Sequence, residues 1–123
     1  MVIGDVGRQQ PTWLLPGLRK LLALAEEPQH PAVQRMVVRF LSELDPGDVC
    51  PELEGRAVAL TLDLTGDTNC PVAIRVFAMQ TAANFAVIYP ELGDELRALL
   101  ETHLPHGKPG FVSRATKILR VLP

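Results

Sequence analysis

His103 and His106 stand three residues apart in the stretch HLPH, a spacing that two metal ligands on one helical turn would share. Pro105 breaks the helix between them, and neither Cys70 nor Glu101 has a spacing that supplies a third ligand. The pair reads as a solvated loop, and no metal is expected. Cys70 follows TGDTN at a helix start, where the helix dipole would lower a thiol's pKa. No histidine is placed beside it as a base, so a nucleophilic thiol is not expected. The glycines of TGD and PHG are turn punctuation, and no phosphate-loop pattern occurs. No catalytic residue and no cofactor are therefore expected.

Charge offers a second kind of chemistry. Twelve Lys and Arg against 14 Asp and Glu give a net charge of −2, which excludes a globally basic nucleic-acid binder but not a local patch. Three segments (31–44, 71–89 and 108–122) hold Arg35, Arg39, Arg75, Lys108, Arg114, Lys117 and Arg120 against one acid, Glu43. Two others (51–67 and 90–104) hold Glu52, Glu54, Asp63, Asp67, Glu91, Asp94, Glu95 and Glu101 against Arg56 and Arg97. A basic surface of this kind can bind an anion, a phosphopeptide or nucleic acid. Helix dipoles explain part of the segregation, since Glu52, Glu54, Glu91, Asp94 and Glu95 fall in first turns and Lys117 and Arg120 near a helix end.

The elements that position these groups are written in prolines. Pro11, Pro51 and Pro90 are spaced 40 and 39 residues apart, and Pro31, Pro71 and Pro109 are spaced 40 and 38. Each opens a segment with apolar residues at helical spacing, as proline in a first turn should. No segment alternates as a strand would. The expectation is an all-α chain of six helices in three antiparallel hairpins, broken near 28–30, 46–50, 67–70 and 105–108. At 123 residues it forms a single domain, with an N-terminal arm over 1–10 and repeat units over about 11–46, 47–89 and 90–123. Pro16-Gly17 sets the start of the first helix near Leu15, leaving Thr12 and Trp13 to cap or pack. Cys50 and Cys70 open consecutive antiparallel helices, about 20 Å apart at 1.5 Å per residue, so free thiols and a reducing compartment are expected.

A period near 40 with two helices per unit is the signature of a HEAT-type α-solenoid. PAVQR and PVAIR, with Arg four residues after the proline, also resemble HEAT repeats. AIRVFAMQ, NFAVIYPEL and GKPGFVSRATKIL are similar to a group of small HEAT-like bacterial proteins of unsettled function, a resemblance that covers roughly 70–120. The resemblance implies a short right-handed stack whose second helices line the concave side. That makes the inside basic and the outside acidic. HEAT-like alkylpurine DNA glycosylases use such a surface, but their aromatic-lined pocket with its aspartate is absent from this chain. The Ser-rich loop of the adenylosuccinate lyase superfamily is absent too, so a lyase label has no support.

From Pro71 to Tyr89 the chain carries a single charge, Arg75. Arg75, Gln80, Thr81 and Asn84 interrupt this stretch and no basic cluster flanks it, so a buried helix is expected and not a membrane span. The N-terminal MVIGDVGRQQ lacks signal-peptide features, which makes the cytoplasm the expected location. Aligning the second helices on their prolines sets Arg35, Arg39, Ser42 and Glu43 against Val33, Val37, Phe40, Leu41 and Leu44. It also sets Ser113, Lys117 and Arg120 against Phe111, Ala115, Ile118, Leu119 and Leu122. Carried to the middle helix, this register predicts a solvent ridge of Arg75, Ala78, Met79, Ala82, Ala86 and Tyr89, almost free of polar atoms. The core side would then hold Ala73, Phe77 and Ile88, with Gln80 and Asn84 buried.

Buried amides need partners, so Gln80 and Asn84 are expected to tie the helix to loop backbone or to meet a ligand. The ridge is a candidate docking surface, with Arg35, Arg39, Lys117 and Arg120 as its polar rim. Two alternatives are that residues 1–10 fold over it and that its alanines are helix filler. The function expected is a non-catalytic protein-interaction or scaffold module that binds a protein partner or a second copy. The alternative is a binder of an anionic partner such as nucleic acid.

Overall fold

The computed structural model describes residues 11–27 and 30–122, with side chains from residue 17 onward. The helices among them are α1 (Pro11–Ala25), α2 (Pro31–Glu43), α3 (Pro51–Gly66), α4 (Val72–Ala86), α5 (Pro90–His103) and α6 (Pro109–Val121), with 3-10 turns at Pro46–Asp48 and Leu104–His106. The described residues contain no strand. Proline stands in the first turn of α2, α3, α5 and α6, where its missing N–H costs no intrahelical bond. α1 begins at Pro11 instead of near Leu15. Pro16 forfeits one bond to the preceding turn, but its φ is already helical and the helix runs through it. The arm over 1–10 lies outside the described residues, as do the side chains of Thr12 and Trp13.

Each hairpin packs a first helix on a second one: α1 on α2, α3 on α4, α5 on α6. The first helices also pack on one another in chain order, as do the second helices, so the molecule is two helical layers deep. The fold is the α-solenoid expected from the repeat. Its core is aliphatic, with Leu22, Val37, Val38, Leu53, Leu96 and Leu100 fully buried beside two aromatics, Phe85 and Phe111. α4 sits at the centre and packs on α2, α3, α5 and α6 together. A helix enclosed in this way has almost no side on which charge is solvated, which accounts for the bareness of its sequence.

Helix starts set the rotation of each second helix. In α2 and α6 the cap residues are His30 and Lys108, and the proline is the first helical residue. In α4 the cap is Pro71 itself, extended at ψ 142°, and the helix begins at Val72. Alignment on prolines is therefore one residue out of step for α4, a rotation of about 100°.

Candidate functional site

Alignment on caps places Arg75 over Gln34, Ala78 over Val37, Ala82 over Leu41 and Phe85 over Leu44, and every one of these residues is buried. It places Val76, Gln80 and Asn84 over Arg35, Arg39 and Glu43. The expected ridge is thus overturned: Arg75, Ala78, Met79, Ala82 and Ala86 are all inside, held against the surrounding helices. Tyr89 is half-buried, and its hydroxyl donates to Glu54 on α3, in the first-helix layer. That bond raises the Tyr89 pKa, with desolvation adding to it. The expected core side is reversed as well, with Ala73 and Ile88 exposed and Phe77 half-buried. Small residues in α4 let neighbouring helices approach closely; they do not form a platform for a partner.

Arg75 and Gln34 occupy equivalent places and perform equivalent work. Gln34, 7% exposed, donates through Nε2 to the carbonyls of Ala25 (2.8 Å) and Glu27 (3.4 Å), at the end of α1. Arg75, 6% exposed, donates through Nε to Thr65 O (3.0 Å), at the end of α3. α2 and α4 thereby each reach back to carbonyls at or just past the end of the preceding first helix, where intrahelical donors run out.

The Arg75 guanidinium also lies 4.2 Å from the centroid of Phe111, a cation–π contact that draws in α6. A Cβ on Gly107 would fall 2.8 Å from Phe111 Cδ1, so glycine there gives the ring its place. Burial lowers the Arg75 pKa against the opposing influence of Cys70 and Asp67. Nη2 of Arg75 is buried without a hydrogen-bond partner among the described residues.

Cys70 and Cys50 are free thiols. Burial pushes Cys70 up to about 11, with Asp67 adding to the effect and Arg75 opposing it. The lowering expected from its place at a helix start is reversed, because burial disfavours the charged thiolate. His103 lies edge-on to Phe111 at 6.4 Å. Among the described residues no three His, Cys, Asp or Glu side chains are grouped to hold a metal.

The solvent side of the second-helix layer carries a line of hydrogen bonds. Arg114 Nη1 on α6 donates to Gln80 Oε1 (3.2 Å), Gln80 Nε2 donates to Asn84 Oδ1 (3.0 Å), and Asn84 Nδ2 donates to Ser42 O at the end of α2 (3.1 Å). Gln80 and Asn84 are half-buried instead of deeply buried; Asn84 reaches backbone of the adjacent repeat as expected, at the end of α2 and not in a loop, while Gln80 meets only side chains. Val76 and Phe77, half-exposed, complete the central strip, while Arg35, Arg39, Arg114, Lys117 and Arg120 stand exposed on either side of it. Val76 and Phe77 were missed by the proline alignment; an alignment on helix caps finds both.

A family model described as a HEAT repeat domain matches residues 2–122. The chain belongs to the HEAT repeat domain family. HEAT repeats are generally protein-interaction and scaffold modules. No curated protein and no solved structure matches this chain. Among the described residues no helix is long and apolar enough to cross a membrane.

Proposed function

We propose that this HEAT repeat protein is a non-catalytic interaction module that docks an acidic segment of a partner protein on its second-helix layer. The observation carrying the reading is the line Arg114–Gln80–Asn84–Ser42, which locks α2, α4 and α6 into one surface. On that surface exposed cations surround a half-apolar strip, and the only acid among the three helices is Glu43, 3.7 Å from Arg39. Val76 and Phe77 supply apolar contact, the amides supply hydrogen bonds, and the cations steer an acidic chain and set its orientation. Repeat stacks commonly bind along an extended layer of this kind.

The test is co-purification from the native host with mass spectrometry, repeated with a charge-reversed α6 edge (Lys117→Glu, Arg120→Glu) that leaves the Arg114–Gln80 bond in place. The expected result is a protein partner whose recovery is lost in the variant while its thermal melt stays close to wild type. Recovery of nucleic acid without protein, or a partner retained by the variant, overturns the reading.

A further inference from the structure

The first-helix layer has two seams, and they are built differently. The α1–α3 seam is bridged by Arg19–Glu52 (2.9 Å) and Arg56–Glu26 (2.7 Å). At the α3–α5 seam a groove of about 500 Å3 opens instead. Val58, Leu62 and Leu92 form an apolar floor, and Glu54, Glu91 and Glu95 stand along its sides. Among the described residues no cation pairs with any of these three acids, and Glu54 accepts there from the Tyr89 hydroxyl. The seam thus leaves open the positive charge that its neighbour supplies from within the chain.

The same chain carries a matching element. On α2, Arg35 and Arg39 are one turn apart, as are Glu91 and Glu95 on α5. Met36 stands beside Arg35 and Arg39 on the exposed arc of α2, at 51% exposure and with a flexible side chain suited to an uneven apolar floor. Arg35 has no acidic partner among the described residues, and Arg39 only the exposed intrahelical contact with Glu43.

We infer that the groove between α3 and α5 receives α2 of a second copy of this chain. Met36 enters over Val58, Leu62 and Leu92, while Arg35 and Arg39 meet Glu91 and Glu95. The contact deepens the proposed function, because it rests on the second-helix layer being a docking layer and names one acidic partner for its α2 edge. The two surfaces are different patches of the molecule, so each copy keeps one of each unused and association runs head to tail.

Sedimentation velocity over a concentration series at low and high salt tests this on wild type and two variants, Arg35→Glu/Arg39→Glu and Glu91→Lys/Glu95→Lys. Wild type is expected to associate with rising concentration and to lose that association in high salt, as exposed ion pairs are screened. Each variant alone is expected to stay monomeric and cooperatively folded, the Glu91→Lys/Glu95→Lys melt a little lower because α5 loses acids near its positive end. An equimolar mixture of the two is expected to regain association, because each reversed surface then faces its complement. Wild type that is monomeric throughout overturns self-docking and leaves the α6-edge test of the broader reading standing. Variants that associate as wild type does, or a mixture that stays monomeric while wild type associates, also overturn it.

Discussion

α2 and α4 open with nearly the same phrase, PAVQR and PVAIR, yet they turn different sides to solvent. The arginine that ends the first phrase, Arg35, is exposed; the one that ends the second, Arg75, is buried under α6. The difference comes from where each helix begins. Pro31 is the first helical residue of α2, whereas Pro71 lies just outside α4, and one residue of offset turns every side chain by about 100°. Position matters too, since α2 lies at the edge of its layer and α4 at the centre. A repeat read from prolines locates helices well, but the cap residue decides which side of each faces inward.

The comparison breaks most visibly at Ala82. Proline alignment makes it a surface residue and cap alignment makes it the counterpart of the buried Leu41. Ala82→Glu should cost more than about 4 kcal/mol, because it puts a larger, uncompensated charge where neighbouring helices close in. The expected observation is loss of a cooperative thermal transition. A variant that melts like wild type would restore the ridge and overturn the cap alignment.

Next in size are the two residues that reach back to the preceding helix. Arg75→Ala should cost about 3 kcal/mol, since it removes a charged hydrogen bond to Thr65 O and the packing on Phe111. Gln34→Ala should cost about 1–2 kcal/mol, since only neutral hydrogen bonds to Ala25 O and Glu27 O are lost. Urea unfolding of both variants checks the order. A Gln34 variant less stable than the Arg75 variant would mean that the charged bond to Thr65 O and the Phe111 contact add nothing beyond a neutral amide's bonds.

The helices, their order and the aliphatic core were legible in the sequence because proline, turn residues and apolar spacing are local signals. The register of α2 and α6 was legible too: their amphipathic sides are strong, and Val37, Leu41, Phe111, Ala115 and Ile118 are buried as expected. α4 was not. Enclosed by α2, α3, α5 and α6, it has little amphipathic contrast, so nothing local opposed a register borrowed from its neighbours. Arg75 misled for the same reason, because a lone charge was assigned to solvent when a carbonyl at the end of α3 and an aromatic ring were available inside. The exposed cations of α2 and α6 could be read as a set, but their relation to Gln80 and Asn84 depends on the rotation of α4 and so needed the structure.

A smaller effect is expected at Asn84, which cap alignment moves from the core to the partly solvated side. Asn84→Leu loses the bonds to Ser42 O and Gln80, and a cost of about 1 kcal/mol follows, because water can reach the groups left behind. A cost of 3 kcal/mol or more in chemical unfolding would return Asn84 to the core.

Cys70 tests the buried side of the α4 start and has no effect near neutral pH. The folded chain holds the thiol proton up to about 11, while the unfolded chain releases it near the ordinary value of 9.0. Between those values the folded state binds more protons, so its stability falls as pH rises from 9 to 11. Cys70→Ser, whose hydroxyl does not titrate there, should show a shallower loss over the same window than wild type. Equal slopes in pH-dependent melts would mean that the thiol is not desolvated.

The smallest effect is expected at Ala73, and it is the sharpest partner to Ala82 because the same substitution is made in the same helix. Proline alignment puts Ala73 in the core; cap alignment pairs it with Ala32 of α2 and Gly110 of α6, and all three are exposed. Ala73 lies in the first turn of α4, where a carboxylate interacts favourably with the positive end of the helix dipole. Ala73→Glu should therefore change stability by less than about 0.5 kcal/mol in either direction, the range of an ordinary surface substitution. The prediction is a thermal midpoint close to wild type from a variant chemically identical to the one that abolishes folding at residue 82. If Ala73→Glu is as damaging as Ala82→Glu, both sides of the N-terminal half of α4 are sealed and the rotation assigned from its cap does not describe it. If it is tolerated while Ala82→Glu is not, the one-residue offset at Pro71 is enough to explain why two helices with nearly the same opening present different chemistry to solvent.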